Sequence, residues 1–574
     1  MSIIRHLAWP LSLLLWTAPS ARADEHTDFE ADRDPEIRVP APIQAFTKQV
    51  KPLWLQALAR PESDLQRMAA DAFGRARLAG MPDLDEAIPP LVRVLTSSSS
   101  HPAARLAAAQ ALVKFQAKDV APQMAASAEQ YGADLRQIIE PALAAWNYEP
   151  QQAIWQTRLT TTGVHTRDLV LASRCLVITG EASQAGALHA IVHDRFRPSA
   201  VRSEAARAAG LLQNQGLEAD ARRLTAESAA PPLVNRLCAV RLLAGHDGDE
   251  AQPLLESLAS DAEPAVAAVA LARLLKIAPV RALLLAPHAI ASADPIVREQ
   301  GILIYRRTPD PERVAALARL LDDPHPIVRG SARETLAVLA ERPELKDAVR
   351  RGATEMLAGD NWRGLEQAAL LLAALDHKPA APRLVELLEF GRAEVNIAAA
   401  WGLKTLAVPE TLPALLDKAR RQDELRRTTE SESASLDEQT AHLFEAFGRM
   451  KYGTAEPLLL EYVPKNFKIG QQSRKSAIWA LGLLHAGVPD EPLARQLMER
   501  VVDQGGVGHP AERVPIKEIS AVSIARMHAI SQASKLRGYV EPETPPNRLG
   551  MTIRWALMEL TGEPIPEPTG ALLP

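Results

Sequence analysis

The most constraining feature of this 574-residue chain is a sequence pattern that recurs about every 31 residues. A proline is followed after two or three residues by a valine, usually then by an arginine, and a small or apolar residue stands four positions after the valine. The valines of the clearest copies are Val201, Val234, Val266, Val297 and Val328, at steps of 33, 32, 31 and 31 residues. Weaker copies place leucine or valine at the same point, at Leu135, Leu169, Leu365 and Val395. A period of this length is typical of repeat proteins, so chain length alone does not set the number of domains.

Each repeat has the length of a helical hairpin. Two helices of about 12 residues leave about seven residues for two short turns. Proline suits the first turn of the second helix because its missing N–H would be unpaired there. Spacings of three and four separate the apolar residues Val328, Ala332, Leu336 and Leu339, which gives this helix one apolar stripe. Because a single hairpin cannot bury both of its stripes, the pattern predicts stacked hairpins with a continuous core.

The proline, the Val-Arg pair and the small residue four positions later resemble HEAT repeats, in particular the short repeats of phycobilisome lyases. The resemblance implies an all-α fold, an α-solenoid of about fifteen stacked HEAT-like hairpins that forms a curved superhelix. It implies no particular activity, because such repeats serve scaffolds, lyases and hydroxylases alike. In the family, the arginine bonds an acid of the neighbouring repeat; Arg202, Arg298 and Arg329 match this position. Asn235, Ala267 and Asn396 depart from it, so we expect a broken ladder.

The predicted domain boundaries follow the repeats. They are a signal peptide at 1–23, an extended N-terminal segment at 24–45, a solenoid at 46–562 and a tail at 563–574. The solenoid is most regular over 190–410 and carries longer loops over 411–562. We expect residues 423–438 to form a disordered loop or a helix extension, and residues 501–515 to form a flexible connector.

The N-terminus has the three parts of a secretory signal, which are a basic start, an apolar stretch and a small-x-small site that ends at Ala23. Export, periplasmic or extracellular, with cleavage near Ala23 is therefore expected. No later stretch of 18 apolar residues occurs, so no membrane span is predicted in the mature chain. The net charge of −5 argues against nucleic-acid binding, which needs a basic surface.

The two cysteines, Cys175 and Cys238, are too few for a disulfide scaffold, and the Cys-x-x-Cys-His motif of a c-type haem does not occur. They lie 63 residues apart, which is about two repeats, and stacked helices stand roughly 8–10 Å apart. This separation exceeds the reach of a disulfide, so two free thiols are predicted.

One pair of histidines has the spacing of a metal site. His189 and His193 are four residues apart, with Asp194 adjacent, which can present two imidazoles to one ion. The alternative is that Ile191 and Val192 face the core and His193 only ends the helix. A HEAT-repeat iron hydroxylase would show repeated His-Glu dipeptides, and no histidine here precedes a glutamate. We predict no cofactor, and a metal-dependent or lyase-like activity near His189 and His193 stays the alternative function.

Four arginines recur once per repeat on the predicted second helices, which in such solenoids form the concave side; they are Arg207, Arg241, Arg273 and Arg306. They are candidates for partner binding, although offsets of 6, 7, 7 and 9 from their valines do not place them on one line. No catalytic motif is present. The sequence therefore predicts an exported, non-enzymatic HEAT-repeat scaffold that binds a protein or peptide through its concave second-helix surface.

Overall fold

The computed structural model describes residues 27–39, 50–226, 231–428, 434–540 and 547–565. The described residues form fifteen helical hairpins, the number expected from the repeat length. The predicted signal peptide at 1–23 and nearly all of the predicted tail at 563–574 lie outside the described residues. No helix in the described part of the chain has the apolar length that a membrane span requires.

The chain divides into two compact units. The N-terminal unit covers residues 50–310, and the C-terminal unit covers 311–565 together with residues 27–39. In both units the even-numbered helices are the first helices of the hairpins, and the odd-numbered helices from α3 onward are the second helices. Within a unit, consecutive second helices pack side by side, so each hairpin contacts its immediate neighbours.

The N-terminal unit has eight hairpins. Its helices are α2 (Val50–Ala59), α3 (Ser63–Leu78), α4 (Ile88–Thr96), α5 (Pro102–Phe115), α6 (Ala121–Tyr131), α7 (Ala133–Ala145), α8 (Glu149–Thr160), α9 (Thr166–Thr179), α10 (Ala185–His193), α11 (Ser199–Leu212), α12 (Glu218–Ala226), α13 (Leu233–Leu242), α14 (Ala251–Ala259), α15 (Pro264–Ile277), α16 (Pro279–Ile290) and α17 (Pro295–Arg307). Short 3₁₀ turns precede three first helices, at Asp85–Ala87, Lys118–Val120 and Ala182–Gln184.

The C-terminal unit has seven hairpins and one further short helix, α1 (Glu30–Arg33). Its hairpin helices are α18 (Pro311–Arg319), α19 (Pro326–Leu339), α20 (Pro343–Leu357), α21 (Trp362–Ala374), α22 (Ala381–Leu387), α23 (Ala393–Leu406), α24 (Leu412–Thr428), α25 (Ala434–Arg449), α26 (Glu456–Leu460), α27 (Gln471–Leu484), α28 (Glu491–Val502), α29 (Val514–Arg526), α30 (Ala533–Arg537) and α31 (Arg548–Thr561). Its 3₁₀ turns are Leu320–Asp322, Lys378–Ala380, Pro409–Thr411, Gly453–Ala455 and Ile530–Gln532.

The second helices begin where the repeat pattern predicts. Pro295 and Pro326 are the first residues of α17 and α19, and the carboxylate of Asp294 accepts the N–H groups of Ile296 and Val297. The repeat valines are buried, with Val201, Val266, Val297, Val328 and Val395 all at most 4% exposed. These side chains form the shared core that holds one hairpin against the next.

One repeat is out of the predicted register by a residue. Helix α13 begins at Leu233 after two prolines, so Asn235 takes the buried position and Val234 is half-buried. Arg236, and not Asn235, therefore corresponds to Arg202. The assignment of Val234 to the buried repeat position was wrong because the prolines delay the start of α13. The position of the valine alone does not reveal that delay.

The three arginines that match the family pattern each donate to backbone carbonyl oxygens that precede their own helix. Arg298 donates to the backbone oxygens of Ser292 and Ala293, both at 2.8 Å. Arg329 donates to the oxygens of Asp323 and Pro324, at 2.9 and 3.3 Å. Arg202 donates to the oxygen of Val192 and to the Asn235 amide oxygen of the next repeat, at 2.8 and 2.7 Å. These side chains satisfy carbonyl groups left unpaired before each second helix.

Two connections are more ordered than their composition indicates. Residues 423–428 belong to α24 and residues 434–438 to α25, so both described ends of the 423–438 segment are helix extensions; residues 429–433 lie outside the described residues. The 501–515 segment is anchored by Glu512, which is 3% exposed and accepts both terminal nitrogens of Arg474 at 3.0 Å. A buried bidentate ion pair of this kind fixes the end of the connection next to α29, and flexibility of the preceding glycine-containing part stays a prediction.

Candidate peptide-binding groove

The predicted extended N-terminal segment is described over residues 27–39, where it contains one short helix and packs on the C-terminal unit. Its sequence, TDFEADRDPEIRV, has an acidic residue at every even position from 28 to 36. Residues 30–33 form α1, which packs on α27, and Ala31 is 5% exposed. The segment lies across the second helices α23, α25, α27, α29 and α31, and we call this surface the C-terminal groove.

Four of the alternating acids each contact a polar or cationic side chain of the groove. The acids are Asp28, Glu30, Asp32 and Asp34. Their partners are the Trp401 indole N–H at 2.9 Å from Asp28, Arg449 against Glu30, Lys475 against Asp32, and both the Trp479 indole N–H at 3.0 Å and Arg526 at 2.6 Å against Asp34. Because an indole N–H and a basic side chain both favour an ionised carboxylate, this surface recognises negative charge at successive positions.

The groove also binds the backbone of the segment. Lys404 donates to the carbonyl oxygen of Asp28 at 2.6 Å, and Arg548 donates to the carbonyl oxygen of Asp32. The N–H of Ala31 donates to Glu445 Oε1 at 3.0 Å. Backbone contacts fix the position of a peptide whatever its side chains are, so charge supplies selectivity and these bonds supply register.

Glu445 and Lys404 form the floor of the groove. The two side chains are 0% and 2% exposed, and Lys404 Nζ lies 3.0 Å from Glu445 Oε2. Burial opposes ionisation of Glu445, but His442, Lys404 and the Ala31 N–H outweigh it and hold the pKa of this carboxyl below its ordinary value. Glu445 is therefore ionised under the segment, where it accepts the Ala31 N–H and neutralises Lys404.

An aromatic contact closes the groove over His442. The ring of Phe29 stacks on the imidazole of His442, with centroids 4.6 Å apart and planes 11° apart. His442 is fully buried and neither of its ring nitrogens has a hydrogen-bond partner among the described residues. Burial lowers the pKa of His442, so the imidazole is neutral while Phe29 covers it.

The far end of the segment makes apolar contacts. Pro35 and Ile37 line a small cavity together with Ile519 and Val522 of α29. In the same region, burial lowers the pKa of Lys475 to about 8, so the Asp32 carboxylate provides a counter-charge for an ammonium that water reaches poorly. The groove thus combines a cationic part for residues 28–34 with an apolar end for residues 35–37.

The predicted histidine pair lies in the N-terminal unit, and the structure adds a ligand that the sequence analysis did not name. His189 Nε2 lies 3.2 Å from His193 Nε2, and it lies 2.7 Å from the Asp220 carboxylate of α12. His193 Nε2 lies 3.6 Å from the same carboxylate. Asp194 is not part of this cluster, because it follows the end of α10 and its carboxylate contacts Arg197 and the Phe196 N–H.

The four arginines proposed for partner binding do not act as one set. Arg207 donates to Glu204 of its own helix, and Arg273 donates to the carbonyl oxygen of His246 at 2.6 Å. Arg241 is half-buried and Arg306 is exposed. The repeat position alone therefore does not define a shared surface, and a partner-binding role for these residues stays a prediction.

Sequence analysis missed the groove because its members lie more than 370 residues from the segment in the chain. A local signal existed in the alternation of acids in TDFEADRDPE, which is the pattern of a charged peptide and not of a spacer. The repeat period could have located the third residue near His189 and His193. Asp220 lies 31 residues after His189, which is one repeat further along the chain.

Comparison with known proteins agrees with this architecture. A sequence profile for HEAT repeats matches residues 52–144, which span α2 to α7. Residues 52–144 therefore match HEAT repeats. No curated protein sequence matches the chain. The phycobilisome-lyase subtype stays a prediction, since the profile covers HEAT repeats in general.

Solved structures similar to this chain include Kap95p with RanGDP, at 12% identity and a TM-score of 0.52. That likeness covers 90% of this chain and 72% of Kap95p. Importin beta, crystallised in an ammonium sulfate condition, is similar at 13% identity and a TM-score of 0.51, over 89% of this chain and 72% of importin beta. At these identities the likeness establishes the helical solenoid fold alone.

Proposed function

We propose that this HEAT-repeat protein is an exported, non-enzymatic scaffold that binds an acidic peptide of a partner protein in the C-terminal groove. The observation that carries the proposal is the bound N-terminal segment, in which Asp28, Asp32 and Asp34 each contact a tryptophan or a basic side chain of a second helix. The groove therefore already holds a peptide, and the segment occupies in cis the place that a partner peptide takes in trans.

The chemistry of the groove supports an acidic ligand. Its cationic side chains come from separate second helices, with Lys475 on α27, Arg526 on α29 and Arg548 on α31. A peptide that spans them gains several charge-assisted hydrogen bonds. Among similar folds, Kap95p is described in a complex with RanGDP, so a solenoid of this kind can bind another protein.

The proposed export fits the position of the segment. The predicted cleavage near Ala23 leaves Asp28 only a few residues from the mature N-terminus, where no preceding domain hinders docking. N-terminal sequencing of the protein recovered from the envelope or medium tests this part. A mature protein that begins near residue 24 is expected, and recovery of the uncleaved chain from the cytoplasm contradicts export.

A synthetic peptide of residues 27–39 tests the binding function directly. We expect fluorescently labelled TDFEADRDPEIRV to bind a variant that lacks residues 27–39, with a dissociation constant of about 1–100 µM. The intact protein should bind it at least about tenfold more weakly, because the tethered segment competes at a high effective concentration. The matched control is a peptide with Asp32→Asn and Asp34→Asn, which should bind weakly to both proteins.

Two further measurements make the result decisive. Circular dichroism establishes that the shortened variant is helical, and full-length Asp32→Asn, Asp34→Asn protein provides a weakened cis segment without a deletion. If neither protein binds the native peptide while both are folded, the groove does not act as a peptide site and the proposal is wrong.

A further inference from the structure

A second site lies in the N-terminal unit, where two consecutive repeats bring together the histidine cluster, defined as His189, His193 and Asp220. The histidines are one turn apart on α10, and Asp220 is in the first turns of α12, the first helix of the next repeat. Their side chains are 30%, 19% and 22% exposed, so the cluster is shielded on one side and open to water on the other. The three ligand atoms all lie within 4.8 Å of one another.

The spacing of these atoms matches the demand of a tetrahedral zinc ion. Zinc bonds to imidazole nitrogen and carboxylate oxygen are about 2.0–2.1 Å long, which places the ligand atoms of a tetrahedron about 3.3 Å apart. In the histidine cluster the Nε2–Nε2 distance is 3.2 Å, and the two imidazoles lie 2.7 and 3.6 Å from the Asp220 carboxylate. An ion therefore needs only small side-chain movements to be bonded by all three groups.

A cationic group already occupies the open side of the cluster. Arg223 Nη2 lies 3.0 Å from His193 Nε2 and 3.1 Å from Asp220 Oδ1. The two Nε2 atoms also face each other at 3.2 Å, and both lie close to the Asp220 carboxylate, at 2.7 and 3.6 Å. The Arg223 side chain is 58% exposed, so it can turn into water when another cation takes its place.

We propose that the histidine cluster binds one zinc ion through His189 Nε2, His193 Nε2 and the Asp220 carboxylate, with Arg223 displaced. Two imidazoles and a carboxylate are ligands that zinc prefers, and the fourth position is open to a water molecule. The ion joins the first helices of two consecutive repeats. Because it binds the folded state, it raises the stability of the N-terminal unit in proportion to its concentration.

Zinc titration of the full-length protein, after removal of metal with a chelator, tests this site. We expect one equivalent of zinc to bind and the thermal midpoint to rise with zinc concentration. His189→Ala and Asp220→Asn should each weaken zinc binding at least about tenfold, because each removes one of three protein ligands. His288→Ala is the matched control in the same unit, since His288 is exposed in α16, and it should change nothing.

Arg223 gives a test with the opposite sign. Arg223→Gln removes a positive charge that competes with the ion, so it should tighten zinc binding about fivefold or more. A structural role for the cluster without metal predicts no gain from this change. Substitution by Co²⁺ adds a spectroscopic readout, because a four-coordinate cobalt site has strong visible absorption that the His193→Ala variant should lose.

Several results overturn the proposal. It is wrong if the native protein binds no zinc at about 10 µM, or if zinc binds equally well to the His189→Ala and Asp220→Asn variants. It is also wrong if Arg223→Gln weakens binding. The peptide site in the C-terminal groove does not depend on any of these outcomes.

Discussion

The double substitution Asp32→Asn, Asp34→Asn should release the N-terminal segment from the C-terminal groove. The two carboxylates face Lys475 and Arg526, whose side chains are 5% and 12% exposed. Asparagine keeps the size of each side chain but removes its charge. The basic groups then remain buried against a neutral partner, and the docked state loses the attraction that offsets their burial.

The size of the effect follows from the burial of the two pairs. Breaking a fully buried pair costs about 3–5 kcal/mol. Asp32 and Asp34 are 45% and 47% exposed, so water screens each pair and about 1–2 kcal/mol for each is the appropriate figure. The double variant should therefore lose about 2–4 kcal/mol of docking free energy, which is about 30- to 900-fold in the docking equilibrium.

Hydrogen exchange of the Ala31 amide reports docking directly, because this N–H is bonded to Glu445 and becomes accessible when the segment leaves. Its exchange should accelerate by the factor given above. Glu36→Gln is the control, since Glu36 is exposed and contacts only Arg38 of the segment itself. If exchange at Ala31 changes less than twofold in the double variant, the acids do not hold the segment and the reasoning fails.

Three further predictions concern the same molecule. The pKa of His442 is lowered by burial under Phe29, so the released state binds more protons as the pH falls through about 6.5. The protection factor of the Ala31 amide, which is the intrinsic exchange rate divided by the observed rate at the same pH, should therefore fall between pH 8 and 5.5; an unchanged protection factor contradicts the burial argument. Ala332→Asp should lower the stability of the C-terminal unit by several kcal/mol because residue 332 is 0% exposed, whereas Gly330→Ala in the same helix meets no atom within 4 Å and should not; equal melting temperatures would contradict the register of α19. Both cysteines should react with a maleimide in denatured, unreduced protein, since Cys175 and Cys238 are free and buried in the structure; a blocked pair is the contrary result.

The repeat pattern predicted most of the fold because residues in a solenoid are buried by residues close to them in the sequence. The buried positions of Val297 and Val328 follow from residues a few places away, and α17 and α19 begin at the prolines of the repeat pattern, Pro295 and Pro326. The shift at Val234 was not predictable from the valine spacing, because the start of α13 depends on where Pro232 ends the preceding turn. Local patterns thus gave helix positions to within a few residues.

The two candidate sites differ in how far the sequence could lead. His189 and His193 were identified from helical spacing, but the third ligand is a residue of the next repeat and not the adjacent Asp194. Adding one period to His189 reaches Asp220, so the periodicity contained this information. No signal in the residue spacing pointed to the C-terminal groove, because no rule of spacing connects Asp28 with Trp401.

The return of residues 27–39 to the last repeats has a consequence for biogenesis. Ala31 and Glu445 are 414 positions apart, so residues 27–39 are synthesised long before the repeats whose basic side chains bind their carboxylates. Closing so long a loop costs only a few kcal/mol of chain entropy, but it places this step last in time. Proteolytic loss of residues 27–39 would therefore leave the cationic C-terminal groove vacant, whereas a chain that lacks the last repeats would carry the acidic segment without its basic partners.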